Sequence, residues 1–427
     1  MTYIGRTFRL VCDERAVPVV EGLLRAQGFE FGPEPFYAFA RKLIHEPFPL
    51  GESLAARFGL IYIQDRSSML PPLALAPEEG SAVLDMCSAP GSKTSLLSRL
   101  VGPQGFVFAS EPSADRLATL RANLRRTGSV NTATAKAMAQ DLPFDDGAWE
   151  RIQLDPPCSG WGTVDKNPKV MEVWSGSKTA PLVALQKTLL ARAADMLAPG
   201  GVVLYSTCTT NIEENEDQVA WAMETLDLDL EPLAEPEGFV FAPPLKDGMD
   251  GILRVADDSE GQGFFLARFV KRGGGSATAV RGAQKRDLPG TRLNLSKMVG
   301  GDGLDLSGLP PGEVYDFGGK AFFLYERALD LIPGAVRWQG FPLGKVAGRA
   351  ERAKFTPGPL ARVLLPGDPS RATCDVFDAD DTAVLERLLA GQSVPFRSGK
   401  GPVGLYYRGL PVGWLARKGS RLLWSAK

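Results

Sequence analysis

The chain has 427 residues, of which 44% are hydrophobic and 23% charged, and its formal net charge is −2. That length supports two or three globular domains with proper cores. No run of about 18 apolar residues is present to cross a bilayer, and Met1-Thr2-Tyr3-Ile4-Gly5-Arg6 carries neither a signal-peptide core nor a lipidation motif, so a cytoplasmic protein without a membrane partner is expected. Cys12, Cys87, Cys158, Cys208 and Cys374 form no CxxC pair, and His45 is the only histidine. This argues against a disulfide framework or a metal site, and it removes histidine from the plausible general bases.

In chain order, residues 7 to 44 alternate a strand-like run (Phe8, Leu10, Cys12) with a helical pattern through Val17, Val20, Leu23 and Leu24, then a second apolar run, which reads as a small α+β module. From Ala82 a regular alternation begins. Strands are expected over 82–87, 105–110, 150–155, 201–207 and 264–270, with amphipathic helices near 93–101, 113–127, 180–198 and 212–225. Such alternation predicts an α/β fold with a doubly wound, mostly parallel sheet. Lys271-Arg272-Gly273-Gly274-Gly275-Ser276 reads as a linker, and short runs between Gly-Pro turns beyond it, such as Gly404 to Leu415, as a small β-barrel. The expected division is 1–75, 76–272, 273–330 and 331–427. From Leu331 to Lys427 there are fifteen Lys and Arg against seven Asp and Glu, a surplus of +8 that leaves −10 for the rest. A basic tail on an acidic body is the footprint of a nucleic-acid contact.

Two segments, each closing a strand-like run, carry the chemistry: Asp155-Pro156-Pro157-Cys158-Ser159-Gly160 and Ser206-Thr207-Cys208-Thr209. Two thiols at strand ends suggest chemistry on a cytosine ring, whose C5 is too weak a nucleophile to take a methyl group from a sulfonium unless a thiolate first adds to C6. A free cysteine is only about 3% thiolate at neutral pH, so such a site must lower the thiol pKa or deprotonate it as the base binds. Burial as inert core is the alternative for each sulfur. Asp85-Met86-Cys87-Ser88-Ala89-Pro90-Gly91-Ser92-Lys93-Thr94 falls where the first central strand turns into a helix, and Glu111 follows about twenty residues after Gly91, ending the next strand. Small residues admit a ligand to the backbone, the helix start offers N–H donors, and the carboxylate suits ribose hydroxyls. Without G-x-G-x-x-G, a nucleoside with a short charged tail such as S-adenosylmethionine fits better than a dinucleotide; a tight turn beside an exposed glutamate is the alternative.

Taken together these segments resemble the RNA cytosine-5 methyltransferases of the NOL1/NOP2/Sun group: Asp85 to Thr94 that family's first motif, Asp155 to Gly160 its Pro-Cys motif, Ser206 to Thr209 its Thr-Cys motif. Gln64 to Ser68, Gln186, Pro199-Gly200-Gly201 and Glu214-Asn215-Glu216 fall where the family has similar residues. The likeness runs from about Leu60 to Arg272. More weakly, Gly340 to Gly344, Phe355-Thr356-Pro357 and Gly409 to Trp414 are similar to the PUA-like domain of bacterial members acting on small-subunit ribosomal RNA. The resemblance implies a class I, Rossmann-like methyltransferase domain between the N-terminal module and a PUA-like domain. It also implies Cys208 as the nucleophile toward C6, Cys158 as the group assisting elimination, and Asp155, with Lys93 beside it, on N3 and N4 of a flipped base. S-adenosylmethionine would be held by Cys87, Ser88, Ala89, Pro90, Gly91, Ser92, Lys93, Glu111 and Asp155. The implied substrate is structured RNA, 16S ribosomal RNA first and transfer RNA as runner-up. Rival readings are an assembly factor that binds without turnover, which intact cysteines oppose, and amino methylation, whose usual Asp-Pro-Pro-Tyr is broken here by Cys158. Three places depart from the family pattern. Ala137 and Met138 stand where an adenine-side aspartate is common, with Asp141 nearby; Arg9-Leu10-Val11 replaces Arg-x-Asn; Val255 to Asp258 replaces a Pro-His.

Overall fold

The structure is a computed structural model that describes residues 5–165, 167–174, 176–256, 260–273, 288, 290–301, 303–348 and 353–425. The part of the expected linker beyond Gly273 lies outside the described residues, as do Asp257 and Asp258.

The chain begins with β1 (Thr7–Leu10), α1 (Val17–Ala26), β2 (Glu30–Pro33), β3 (Ala40–His45), α2 (Leu54–Arg57) and β4 (Ile61–Ile63). The four strands form an antiparallel sheet in the order β2-β3-β1-β4. Val20, Leu23 and Leu24 recur at the spacing of one helical face and are buried. His45 is exposed at the end of β3. A helix absent from the sequence reading follows, α3 (Arg66–Leu75), capped by Asp65, which accepts from Ser67 N at 3.0 Å. Pro71 and Pro72 sit inside it; proline has no N–H to donate and argues against a helix when read locally. Leu70 and Leu75 pack with Val83, Leu97 and Val107, so α3 lies against the main sheet although the boundary expected at residue 75 assigns it to the N-terminal module.

The main body runs β5 (Ala82–Asp85), α4 (Ser92–Leu100), β6 (Phe106–Ser110), α5 (Ala114–Thr127), β7 (Thr132–Ala135), β8 (Trp149–Leu154), α6 (Val170–Val173), α7 (Ala180–Met196), β9 (Leu197–Thr207), α8 (Glu216–Thr225), β10 (Leu228–Glu231), β11 (Phe241–Ala242), β12 (Leu253–Val255) and β13 (Phe264–Lys271). β7-β6-β5-β8-β9 are parallel, and β13 joins β9 antiparallel. β5 and β6 are buried along their whole length, as expected of strands covered by helices on both faces. The strand order reverses between β5 and β8, so the C-terminal ends of those strands open a crevice for ligands. β7, Thr132-Ala133-Thr134-Ala135, has no large apolar residue and escaped the sequence reading, yet it is buried throughout.

After the main body come β14 (Thr291–Leu293), β15 (Gly312–Asp316), β16 (Lys320–Tyr325), α9 (Glu326–Leu331), β17 (Trp338–Gln339), β18 (Phe341–Ala347), β19 (Lys354–Pro357), β20 (Asp375–Ala379), α10 (Thr382–Leu389), β21 (Val394–Pro395), β22 (Val403–Tyr407), β23 (Leu410–Lys418) and β24 (Arg421–Leu423). They form two five-stranded sheets, β14-β15-β16-β18-β19 and β20-β22-β23-β24-β21, and among the described residues the outer strands of neither pair to close a barrel. The first sheet runs across position 330, where the sequence reading placed a boundary. β17 leaves both sheets and extends the central one, Trp338 facing Ala135 and Gln339 facing Thr134 in antiparallel register. Phe323, Tyr325, Phe341 and Trp414 share a core with Leu84, Phe106 and Phe108, while Leu385, Leu405 and Leu415 share one with Phe8, Leu23 and Phe58. Arg362 stitches this joint, donating to Phe58 O at 2.5 Å, Gly59 O at 3.0 Å and Thr127 O at 3.3 Å. No described helix is long and apolar enough to cross a membrane.

Candidate active site

Every candidate residue lies at the C-terminal edge of the parallel strands. Asp85 ends β5, Glu111 follows β6, Asp155 and Cys158 follow β8, and Cys208 follows β9. The turn after β5 bends through Gly91, at φ 101°, where a Cβ would come within 2.9 Å of Leu120 Cδ1. That packing leads straight into α4 and leaves its first N–H groups at the crevice. Ser88 Oγ donates to Asp85 O at 2.8 Å and Ser110 O at 3.0 Å, tying the loop to β5 and β6. Ala89 and Pro90 complete the turn, and Cys87 packs partly buried against the core with its thiol pushed up by burial. Glu111 is buried, accepting from Ser113 N at 2.9 Å with Arg116 Nη1 3.4 Å away. A carboxylate has about four lone-pair sites, so these contacts leave acceptor capacity for a ribose hydroxyl.

Asp155 and the two sulfurs form a compact group. Lys93 Nζ donates to Asp155 Oδ2 at 2.7 Å, and Ser206 Oγ donates to Oδ1 at 2.9 Å. Burial alone lowers the Lys93 pKa, but the charge and hydrogen bond of Asp155 outweigh it and raise it. Asp85, directly below, accepts from Thr94 Oγ1 at 2.7 Å, and burial pushes its carboxyl up to about 7. Cys158 Sγ and Cys208 Sγ are 3.2 Å apart, and both are free and half-buried. The hydrogen bond between them sets their order of ionisation. Either sulfur can donate in this bond; the bond to Cys158 pulls the Cys208 thiol below its usual range, against burial and Asp155, with help from Lys93. The same bond, followed by burial, raises Cys158 well above it.

The residues that hold the sulfurs together were not assigned roles in the sequence. Glu214, 0% exposed, accepts from Ser159 N at 2.9 Å, Ser159 Oγ at 2.5 Å, Gln186 Nε2 at 2.9 Å and Asn211 Nδ2 at 3.1 Å. Gln186 also donates to Pro157 O at 2.9 Å, and the hydroxyls of Ser159 and Thr209, each one residue past a cysteine, are 2.7 Å apart. One buried carboxylate thus ties the turn after β8 to the turn after β9. The signal for Gln186 was in the sequence: a lone amide on the buried face made by Leu182, Leu189 and Leu190. Arg9 is likewise buried, donating to Gln64 Oε1 at 3.1 Å and to Ser95 Oγ, so the N-terminal sheet braces the start of α4. Beyond Cys208 a cavity of about 250 Å³ is lined by Thr209, Thr210, Arg254 and Phe264 among others. Met138 is half exposed just past β7 and Asp141 is exposed.

The crevice fits S-adenosylmethionine by its donor set: a small-residue turn, free N–H groups at a helix start, and a buried carboxylate ending the second strand. Comparisons with known proteins agree. Residues 72–270 match the family model described as 16S rRNA methyltransferase RsmB/F. The chain is 32% identical over 399 residues to the ribosomal RNA small subunit methyltransferase F of Vibrio vulnificus, covering 87% of this chain and 79% of that protein. The namesake of Salmonella paratyphi A is 38% identical over 266 residues, 58% of this chain and 52% of its own length. Among solved structures, a methyltransferase homologue from Pyrococcus horikoshii superposes with a TM-score of 0.53 at 33% identity, covering 62% of this chain and 86% of the other. NSun6 from Pyrococcus horikoshii, solved with the S-adenosylmethionine analogue SFG, shares the fold at a TM-score of 0.55 and 21% identity over 63% of this chain and 91% of its own. With its crevice, its motifs and a relative matched over most of both lengths, the chain is an S-adenosylmethionine-dependent methyltransferase and belongs to the 16S rRNA methyltransferase RsmB/F family.

Proposed function

We propose that the enzyme methylates C5 of a cytosine in small-subunit ribosomal RNA, through a covalent bond between Cys208 Sγ and C6 of the base. The observation that carries this reading is the sulfur pair: two thiols 3.2 Å apart at the cofactor edge of the sheet, of which only Cys208 is pulled toward the thiolate. The relatives' names supply the RNA class.

The residues divide the work as follows. Cys158 stabilises the Cys208 thiolate by donating its S–H, and the thiolate adds to C6. Asp155, oriented by Lys93 and Ser206, faces the N3 and N4 edge of the flipped base, accepting from the N4 amine and from N3 once that nitrogen takes up a proton as the sulfur adds, and the Lys93 ammonium offsets charge that builds on the ring. S-adenosylmethionine, when bound, supplies the methyl group to C5. Cys87 to Lys93 would line its site, with Glu111 on the ribose and Asp155 where donor and base meet. The C5 proton then leaves and the C6–S bond breaks. Cys158, beside the departing sulfur, assists this elimination by handing its proton to Cys208 as the C6–S bond breaks, while the C5 proton passes to water. Extracting a base costs a few kcal/mol when it is stacked, which favours a cytosine in a loop or at a helix end. The basic tail and the N-terminal sheet would supply phosphate contacts that fix register.

Incubation of unmethylated small ribosomal subunits with the enzyme and labelled S-adenosylmethionine, followed by nucleoside mass spectrometry, tests this. Label in 5-methylcytidine is the expected result; label on the exocyclic nitrogen, or label in transfer RNA incubated in parallel but none in the subunits, contradicts it.

A further inference from the structure

We propose that Cys158 and Cys208 are also an oxidation site: a hydroperoxide converts them into an intramolecular disulfide that stops methyl transfer and that a dithiol reverses. The geometry is already close to the product. The sulfurs are 3.2 Å apart although the cysteines are 50 residues apart in sequence, and a disulfide needs them at about 2.05 Å. A closure of about 1 Å is the scale of a side-chain torsion, with both backbones kept in place by the Glu214 hydrogen bonds and the Ser159–Thr209 contact. Both residues are partly exposed and lie at the C-terminal edge of the sheet where the crevice opens, the side from which a molecule as small as hydrogen peroxide would approach.

The chemistry selects this pair over the other thiols. Oxidation begins at a thiolate, and of the five cysteines Cys208 alone is shifted toward that form. Burial raises Cys87 and Cys374, and pushes Cys12 up to about 11. Cys208 thiolate attacks one oxygen of the peroxide, the O–O bond breaks, and Cys208 becomes a sulfenic acid while hydroxide leaves and picks up a proton. The Cys158 thiol then attacks the sulfenic sulfur; the S–S bond forms, the S–O bond breaks, and water departs with the thiol proton. Two thiols lose two electrons, and one peroxide is reduced to two waters. A resolving thiol at 3.2 Å intercepts the sulfenic acid before it climbs to the irreversible sulfinic form. The disulfide leaves neither a nucleophile for C6 nor an S–H to stabilise it.

Only the activity arm of this inference rests on the reading above, and the test separates the two. The full chain is treated with hydrogen peroxide, blocked with iodoacetamide, digested and examined by mass spectrometry, with methyl transfer assayed before and after dithiothreitol. The expected result is a joined pair of peptides carrying Cys158 and Cys208, two hydrogens lighter than the sum of the reduced peptides. Activity should fall in proportion to the joined fraction and return with dithiothreitol. In Cys158→Ser, the Cys208 peptide should instead gain two oxygens that dithiothreitol does not remove. A disulfide to Cys12, Cys87 or Cys374, or sulfinic acid on Cys208 in the unsubstituted chain without any joined peptide, overturns the proposal. A joined pair in a protein that methylates no cytosine upholds the disulfide and rejects the proposed function instead.

Discussion

The catalytic edge and the joint between the body and the tail are built on opposite plans. At the edge, each reactive group is the end of a strand, so a short stretch of sequence places it: Asp85 after β5, Asp155 and Cys158 after β8, Cys208 after β9. At the joint the partners are far apart in the chain. Arg362 donates to Phe58 and Thr127, Trp338 pairs with Ala135, and Phe58 meets Trp424 edge-on at 5.3 Å between ring centres. Substitutions at the edge should therefore change chemistry with little effect on stability, and substitutions at the joint the reverse.

The sharpest separation comes from the sulfurs. Cys208→Ala should reduce transfer by at least about a thousandfold while leaving the unfolding midpoint unchanged, because an interaction made only in the transition state is lost. Cys158→Ala should instead form the protein–RNA bond more slowly, having lost the partner that favours the Cys208 thiolate, yet accumulate an adduct that survives a denaturing gel, since the bond once formed is not resolved. Next is Glu214→Gln, which keeps the side chain's size but replaces an acceptor oxygen with a donor nitrogen facing donors. Loosening both turns should cost about a hundredfold in turnover, the scale of a misplacement near 1 Å. The pH–rate profile should also lose its acid limb to higher pH as Cys208 loses its S–H partner. If charge alone mattered, removing a carboxylate would move that limb downward. At the joint, Arg362→Met leaves the carbonyls of Phe58, Gly59 and Thr127 without their donor. It should cost about 2–3 kcal/mol in stability by urea unfolding, with turnover of the folded enzyme retained.

A pH dependence of stability is also expected. Asp85 carries a raised pKa, so the folded state keeps a proton that the unfolded chain releases. The contribution of Asp85 to stability is largest below about pH 4, falls as pH rises toward about 7, and levels off above it, a change of at most about 4 kcal/mol. Asp85→Asn should flatten that slope in urea midpoints measured from pH 4 to 8. An unchanged slope would assign it to other groups.

The same contrast governs what the sequence could reveal. The parallel sheet, both cysteine turns, the Gly91 turn and Glu111 were legible because each depends on a few adjacent residues in a repeating strand–helix frame. Glu214 was not legible as a support. It stands in Ile212-Glu213-Glu214-Asn215-Glu216-Asp217, at the start of the helix expected near 212–225 and where the family has similar residues, but with no role legible from the run itself; Glu214, Asn215 and Glu216 are 0% exposed. Only tertiary partners such as Arg254, which grips Glu216 at 2.8 Å through both carboxylate oxygens, explain that burial. α3 was hidden by its internal prolines, and β7 by having only threonine and alanine. The two-residue β17, some two hundred positions from the strand it extends, leaves no local trace at all.

The central claim is a transient bond from Cys208 to a pyrimidine ring, and one trapping experiment meets it head on. Ribosomal RNA that the enzyme methylates should be rebuilt with 5-fluorocytidine at the target position and incubated with enzyme and S-adenosylmethionine. A denaturation-resistant adduct whose digest maps to Cys208 is the expected result. Methyl transfer to the unsubstituted RNA with no adduct on the fluorinated one, or an adduct on Cys158, would contradict it.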